Sequence, residues 1–127
     1  MAIAGRVKLF FDGGWRPATG MEIAVVVRGR DYVRQGLGPG TSLEAEWRAL
    51  ILAAQLAREL GLVDPIFLGD SLAVIGQVNA TAPCRSECLR HFESLTDLLP
   101  ASGKARFRYV KRSQNLAGIA LARLHVR

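Results

Sequence analysis

Val7-Lys8-Leu9-Phe10-Phe11-Asp12-Gly13-Gly14 sets an apolar run against an Asp-Gly-Gly close, the pattern of a buried strand meeting a turn. The strand is therefore expected to end at Phe11, with Asp12 at its carboxyl end. Further along, Glu22 to Arg28, with Val25, Val26 and Val27, and Arg30 to Gly36 are separated only by Gly29, as in consecutive antiparallel strands joined by a tight turn. Three strands in a meander result. Past Gly38-Pro39-Gly40, Thr41 or Ser42 caps a predicted helix running to Leu60, in which Leu43, Trp47, Leu50, Ile51, Ala54 and Ala57 recur at helical spacing before Gly61 stops it. Pro65-Ile66-Phe67-Leu68 is a short, wholly apolar strand, and Asp70-Ser71 opens a second helix to about Val78. A buried strand between helices implies a parallel crossover. A helix from Arg85 to Leu99, an alternating edge strand from Lys104 to Lys111 and a closing helix from Leu116 to Val126 complete the order.

That order predicts an α/β domain: a mixed five-stranded sheet with helices packed on its faces. If the first helix crosses back over the meander, the first and fourth strands lie side by side. Ligands then collect at strand carboxyl ends, where Asp12 and Asp70 are expected. With 127 residues, 50% of them hydrophobic, the chain suits a single domain over residues 1–127. It contains no apolar run of about 18 residues, and Met1 to Arg6 lack the pattern of a secretory signal. The expectation is a soluble, cytoplasmic protein with no membrane partner. Cys84 and Cys88, expected one turn apart on a helix, suit neither a disulfide framework nor a zinc ribbon, and a reducing compartment is the simplest reading.

Seventeen Lys and Arg against eleven Asp and Glu give a net charge of +6, which favours polyanionic partners. From Lys104 onward the basic residues are Lys104, Arg106, Arg108, Lys111, Arg112, Arg123 and Arg127, with no acid among them. The surplus thus sits at the C-terminal end. A solvated basic face is the plainer explanation, and nucleic acid the more informative one.

Phe10-Phe11-Asp12-Gly13-Gly14, Thr41-Ser42-Leu43-Glu44-Ala45-Glu46-Trp47, Leu68-Gly69-Asp70-Ser71, and Gln114-Asn115 followed by Ala120-Leu121-Ala122 resemble, in order, the motifs of type I ribonuclease H. The resemblance spans nearly the whole chain. It implies the ribonuclease H-like fold, with strand order 3-2-1-4-5, helices on both faces and a carboxylate cluster that binds Mg2+ or Mn2+ to cut the RNA strand of RNA–DNA hybrids. Asp12, Glu46 and Asp70 match three of the family's four carboxylates, with Asp12 in the place of the ligand that bridges both ions. Glu44, two residues before Glu46, is the alternative on another helix face. Taken singly, each acid has a plainer reading: Asp12 starts a turn, Glu46 complements a helix dipole and Asp70 is an N-cap. The chemistry explains why such a cluster is wanted. Phosphodiester hydrolysis needs an activated water and charge on the attacking and leaving oxygens, which two ions about 4 Å apart supply, and magnesium prefers oxygen ligands.

Ile119 stands where the resemblance calls for the fourth aspartate, and no acid follows Asp97. The ion that positions the attacking water is the one this weakens, so activity is expected to be reduced, manganese-dependent or lost. The family's His-containing loop is replaced by Lys111-Arg112-Ser113, Ser42 replaces an asparagine, and Leu72 a glutamine. Nucleic-acid contacts are expected from Gly13, Gly14, Trp15, Thr41, Ser42, Ser71, Lys111, Arg112 and Asn115. Backbone donors at 13–15 are suited to a 2′-hydroxyl, and Trp15 either stacks or packs.

Other chemistries fare worse. Cys84, Cys88 and His91 offer zinc no evident fourth ligand, and His125 reads as an ordinary helix residue. No Ser–His–Asp spacing stands out, and Gly36 to Gly40 lacks the lysine of a phosphate loop. Lys104, Arg106 and Arg108 form either a phosphate-facing row or a charged edge that blunts aggregation. Two functions remain: a metal-dependent hybrid endonuclease without an organic cofactor, and a related module that binds nucleic acid or protein without cutting.

Overall fold

The computed structural model describes residues 6–125. Its strands are β1 (Lys8–Arg16), β2 (Gly20–Val27), β3 (Arg30–Arg34), β4 (Ile66–Gly69) and β5 (Arg106–Tyr109), and its helices α1 (Ser42–Glu59), α2 (Leu72–Val78), α3 (Glu87–Leu98) and α4 (Leu116–Arg123). One five-stranded sheet runs β3-β2-β1-β4-β5, the order implied by the resemblance. β1, β2 and β3 pair antiparallel, while β4 and β5 run parallel to β1.

Strand alternation distributes the core. Leu9, Phe11, Ile23, Val25 and Val27 join Trp47, Leu50, Phe67 and Leu95 in the larger core under α1 and α3, whereas Phe10, Ala24 and Val26 pack with Ala117, Ala120 and Leu121 of α4. Leu50 and Phe67 are fully enclosed, a position where truncation to alanine costs roughly 2–5 kcal/mol. Trp47 satisfies its indole N–H by donating to Gln77 Oε1 at 2.7 Å, which ties α1 to α2. At the β2–β3 turn both Arg28 (φ 53°) and Gly29 (φ 75°) are left-handed, the conformation that matches a two-residue hairpin to strand twist.

Several local expectations are corrected. β1 does not stop at Phe11 but continues through Asp12-Gly13-Gly14 to Arg16, paired with β2 as far as Arg16 opposite Gly20. Asp12 is therefore mid-strand. Gly13 is demanded by packing and not by a turn, because a Cβ there would lie 2.3 Å from the Ala45 carbonyl carbon of α1. α3 begins at Glu87, not Arg85, after Ser86 takes a left-handed φ of 53°. Cys84 consequently precedes the helix, its Cα is 5.2 Å from that of Cys88, and the two form a disulfide where none was expected. A short 3-10 turn at Arg112–Gln114 was not foreseen. Lys104 lies outside β5, so the basic row is cut to Arg106 and Arg108. α4 closes at Arg123, with Leu124 as its C-cap and His125 in the turn beyond, so it stops short of the expected end at Val126; Val126 itself lies outside the described residues, as do Met1 to Gly5 and Arg127. No helix among the described residues is long and apolar enough to cross a membrane.

Candidate metal centre and nucleic-acid cleft

The parallel ladder between β1 and β4 ends at Phe10 opposite Leu68, while β1 runs on with β2. The sheet forks there. Asp12 lies two residues past the last shared rung on β1, and Asp70 two residues past it on β4. The first turns of α1 bring Glu46 to the same opening, since Gly13 lets the helix backbone approach. One carboxylate oxygen from each of Asp12, Glu46 and Asp70 lies within 4.8 Å of the others. Glu44 is turned away, in an ion pair with Arg48 at 3.1 Å, so Glu46 is the site residue.

Each acid is held by a neighbouring element. Gly13 N–H donates to Glu46 Oε1 at 3.0 Å. Asn115 Nδ2 donates to Phe11 O at 3.0 Å and to Asp70 Oδ2 at 3.1 Å, while Asn115 Oδ1 accepts from Ala117 N and caps α4. One enclosed amide thus ties β1, Asp70 and α4 together. Asn115, expected to contact nucleic acid, is fully buried and serves instead as the positioning residue of the site. Ser71 Oγ caps α2 by accepting from Val74 N at 3.2 Å, so Asp70 is not the N-cap and its carboxylate is left for the site. Thr41 Oγ1 likewise caps α1, accepting from Glu44 N at 3.0 Å.

Electrostatics mark the cluster as built around a cation. Burial, then the Asp12 and Asp70 charges, push the Glu46 carboxyl up to about 9 despite its bond from Gly13. Burial and Asp70 push Asp12 up to about 6, against the opposing pull of Arg112. Asp12 Oδ1 is buried with no hydrogen-bond partner, which is costly for a carboxylate oxygen. An orphaned anionic oxygen in an all-oxygen donor set fits a hard divalent cation. Among the described residues no other group of three or more His, Cys, Asp or Glu side chains converges in this way, and the Cys84, Cys88 and His91 arrangement is excluded as a zinc site because both sulfurs are bonded to each other.

A cleft of about 640 Å³ opens from the carboxylates and is bordered by Gly13, Gly14, Trp15, Ser42, Arg112 and Ile119. Five of the nine expected nucleic-acid contacts, Gly13, Gly14, Trp15, Ser42 and Arg112, therefore share one groove. Trp15 is exposed at 46%, which favours stacking over packing, and Lys111 is exposed nearby in sequence without bordering the groove. Ile119 borders the cleft and is 37% exposed, so the apolar side chain faces the place where a fourth carboxylate was expected. Gly118 escaped sequence reasoning: a Cβ on it would stand 3.3 Å from Asp12 Oδ2. Glu22, buried at the edge of the same cleft, was also missed, because strand register and not motif brings it there.

Residues 11–125 match the family model described as reverse transcriptase-like. Among solved structures, RNase H1 from the halophilic archaeon Halobacterium salinarum NRC-1 is similar at 27% identity and a TM-score of 0.80, covering 92% of this chain and 94% of that one. The N-terminal RNase H domain of a Mycobacterium tuberculosis protein, solved as a maltose-binding-protein fusion, is 22% identical with a TM-score of 0.74, covering 95% and 99%. LC11-RNase H1, solved in complex with an RNA/DNA hybrid, is 20% identical with a TM-score of 0.71, covering 86% and 88%. No curated protein matches the chain.

Proposed function

The chain belongs to the reverse transcriptase-like family, of ribonuclease H-like fold, and from that membership we propose that it is an endonuclease hydrolysing the RNA strand of RNA–DNA hybrids. The observation that carries the reading is the convergence of Asp12, Glu46 and Asp70 within 4.8 Å, with a buried Asp12 oxygen lacking any protein partner. The likeness to an RNase H1 over nearly the full length of both chains supports it.

Asp12, Glu46 and Asp70 would hold the divalent cation, Mg2+ or Mn2+. When bound, such a cation supplies charge to the phosphoryl oxygens and a water acidic enough to attack at neutral pH. The chain's own residues do the rest. Asn115 fixes Asp70 against β1, and Gly13 fixes Glu46, so that the acids are oriented before substrate arrives. Arg112 borders the cleft near Asp12 and offers a guanidinium to a phosphate oxygen. Ser42, exposed at the cleft, offers a hydroxyl to the sugar, and Trp15 offers a backbone donor and a stacking face to the minor groove, the N–H of Gly13 being taken by Glu46 and that of Gly14 facing β2. Thr41, Ser71 and Lys111 would contact the hybrid only at the margin, since the two hydroxyls cap helices and none of the three borders the cleft. A cytoplasmic location belongs to this proposal on the substrate class alone, and the Cys84–Cys88 disulfide counts against it.

The second reading, hybrid binding without cutting, rests on Ile119, which leaves three carboxylates where the resemblance implied four. A labelled hybrid incubated with Mg2+ and then Mn2+ separates the two, with Asp70→Asn as control. Cleavage lost in the variant establishes the enzyme. Retained hybrid binding with no cleavage in either metal establishes the module, and absence of both refutes the nucleic-acid assignment.

A further inference from the structure

Across the β1–β2 ladder from Gly14 stands Glu22, whose side chain is only 4% exposed. A carboxylate so enclosed is stable only when paired. Two elements meet it: His125 Nε2, just past α4, lies 3.0 and 2.9 Å from its two oxygens, and Arg16 Nε, at the end of β1, lies 3.6 Å from Oε2. Glu22 is therefore not a substitute for the missing metal ligand, since its oxygens are engaged and it stands outside the converging acids. Its effect is to hold Arg16. With its Nε edge turned to Glu22, Arg16 still borders the cleft and keeps 45% of its side chain exposed. A guanidinium fixed on one edge loses less freedom when its remaining donors engage an anion.

The cluster lies on the same groove as the carboxylates, at a measurable spacing from them. Gly118, beside Asp12, and Leu121 and Ala122, which border the cleft, lead along one face of α4 to His125, seven residues on. At the helical rise this is about 10 Å. A duplex strand carries one phosphate per roughly 3.4 Å of axis, so the Arg16 cluster and the carboxylates address different phosphates of a bound strand.

We propose that Arg16, braced by Glu22 and His125, is a phosphate clamp that grips the hybrid backbone at a phosphate other than the one that is cut. The proposal rests on the hybrid-nuclease reading and adds a binding subsite to it. Arg16 acts on binding and not on chemistry, and Glu22 and His125 are positioning residues that act through it.

The test compares the full chain with Arg16→Gln, which keeps a donor toward Glu22 but removes the charge, and with His125→Ala. Binding of an 18-base-pair RNA–DNA hybrid is followed by fluorescence anisotropy across salt concentrations, and cleavage is followed with the same hybrid. For Arg16→Gln the expected result is a KM raised about tenfold, an unchanged kcat, and a salt slope shallower by about 0.9. His125→Ala should shift KM in the same direction by less. Among hybrids that each carry one neutral methylphosphonate at a successive position beside the cut, one should bind the native chain more weakly, and Arg16→Gln no more weakly, than the unmodified hybrid; the lack of any such position overturns the clamp. Normal cleavage by Arg16→Gln with an unaltered salt slope and KM overturns the clamp while leaving the nuclease intact. A native chain that neither binds nor cuts the hybrid overturns both.

Discussion

Glu46→Gln is expected to stabilise the metal-free protein, although it removes a residue at the centre of the site. Glu46 is enclosed beside two other acids, and its carboxyl is pushed up from 4.5 to about 9, first by burial and then by the charges of Asp12 and Asp70. A folded-state pKa raised above the unfolded value means that the folded chain binds a proton the unfolded chain has released. The associated stability is complete below the unfolded value of 4.5 and is lost as pH rises toward the folded value of about 9. At pH 7 the loss spans about 2.5 pH units, or about 3 kcal/mol at 1.36 kcal/mol per unit. Glutamine carries no charge and still offers an oxygen to Gly13 N–H, so the variant should recover most of that. In a domain of this size this is a rise of about 10 °C in Tm. Thermal melts of both proteins in a chelator, from pH 4.5 to 8, provide the assay. The gap should be near zero at the acid end and widen with pH. With a divalent cation added, the ordering should reverse, because the native carboxylate gains a ligand partner and glutamine is a poorer one. A variant no more stable than the native protein at pH 7 in chelator, or a gap independent of pH, would refute the electrostatic account of the cluster.

Ile119→Asp should restore a carboxylate to the cleft and raise cleavage in Mg2+ by at least tenfold; steady-state rates on a labelled hybrid measure it, and unchanged rates would show that position 119 does not address the ion. Asp70→Asn should lower kcat by about a hundredfold or more while circular dichroism stays native, because the amide still accepts from Asn115. Gly13→Ala should cost about 3 kcal/mol or more, since its Cβ would sit 2.3 Å from the Ala45 backbone; denaturant titration reads this, and a loss under 1 kcal/mol would mean that α1 shifts freely. Reducing the Cys84–Cys88 disulfide should destabilise by about 2 kcal/mol for so short a loop, measured by urea melts with and without reductant.

The architecture was readable because its signals agree with one another. The apolar run at 7–11, the valines at 25–27 and the helical spacing from Leu43 to Ala57 each specify an element, and their succession leaves few topologies. The three acids were readable only jointly, since Asp12 alone looks like a turn residue and Asp70 alone like a cap. What failed to show was non-local. An Asp-Gly-Gly triplet looks like the end of a strand unless one knows that a helix backbone presses on Gly13. Nothing local distinguishes a cysteine before a helix from one on it, and the left-handed Ser86 carries no sequence mark. Asn115 looked like a substrate contact because its enclosure depends on Phe11, 104 residues away. Glu22 and His125, 103 apart, could be joined only by the packing of α4 against β2.

Gly13 N–H, aimed at the open side of the forked sheet, ends on a carboxylate oxygen of the cluster itself. That single backbone proton is wired to the charge state of Glu46. Its nitrogen and proton resonances should therefore move when the acid loses its proton or engages a cation, while the neighbouring amides of the β1–β2 ladder stay in place. An isotope-labelled glycine spectrum would thus contain an intrinsic gauge of site occupancy, one that needs neither substrate nor turnover.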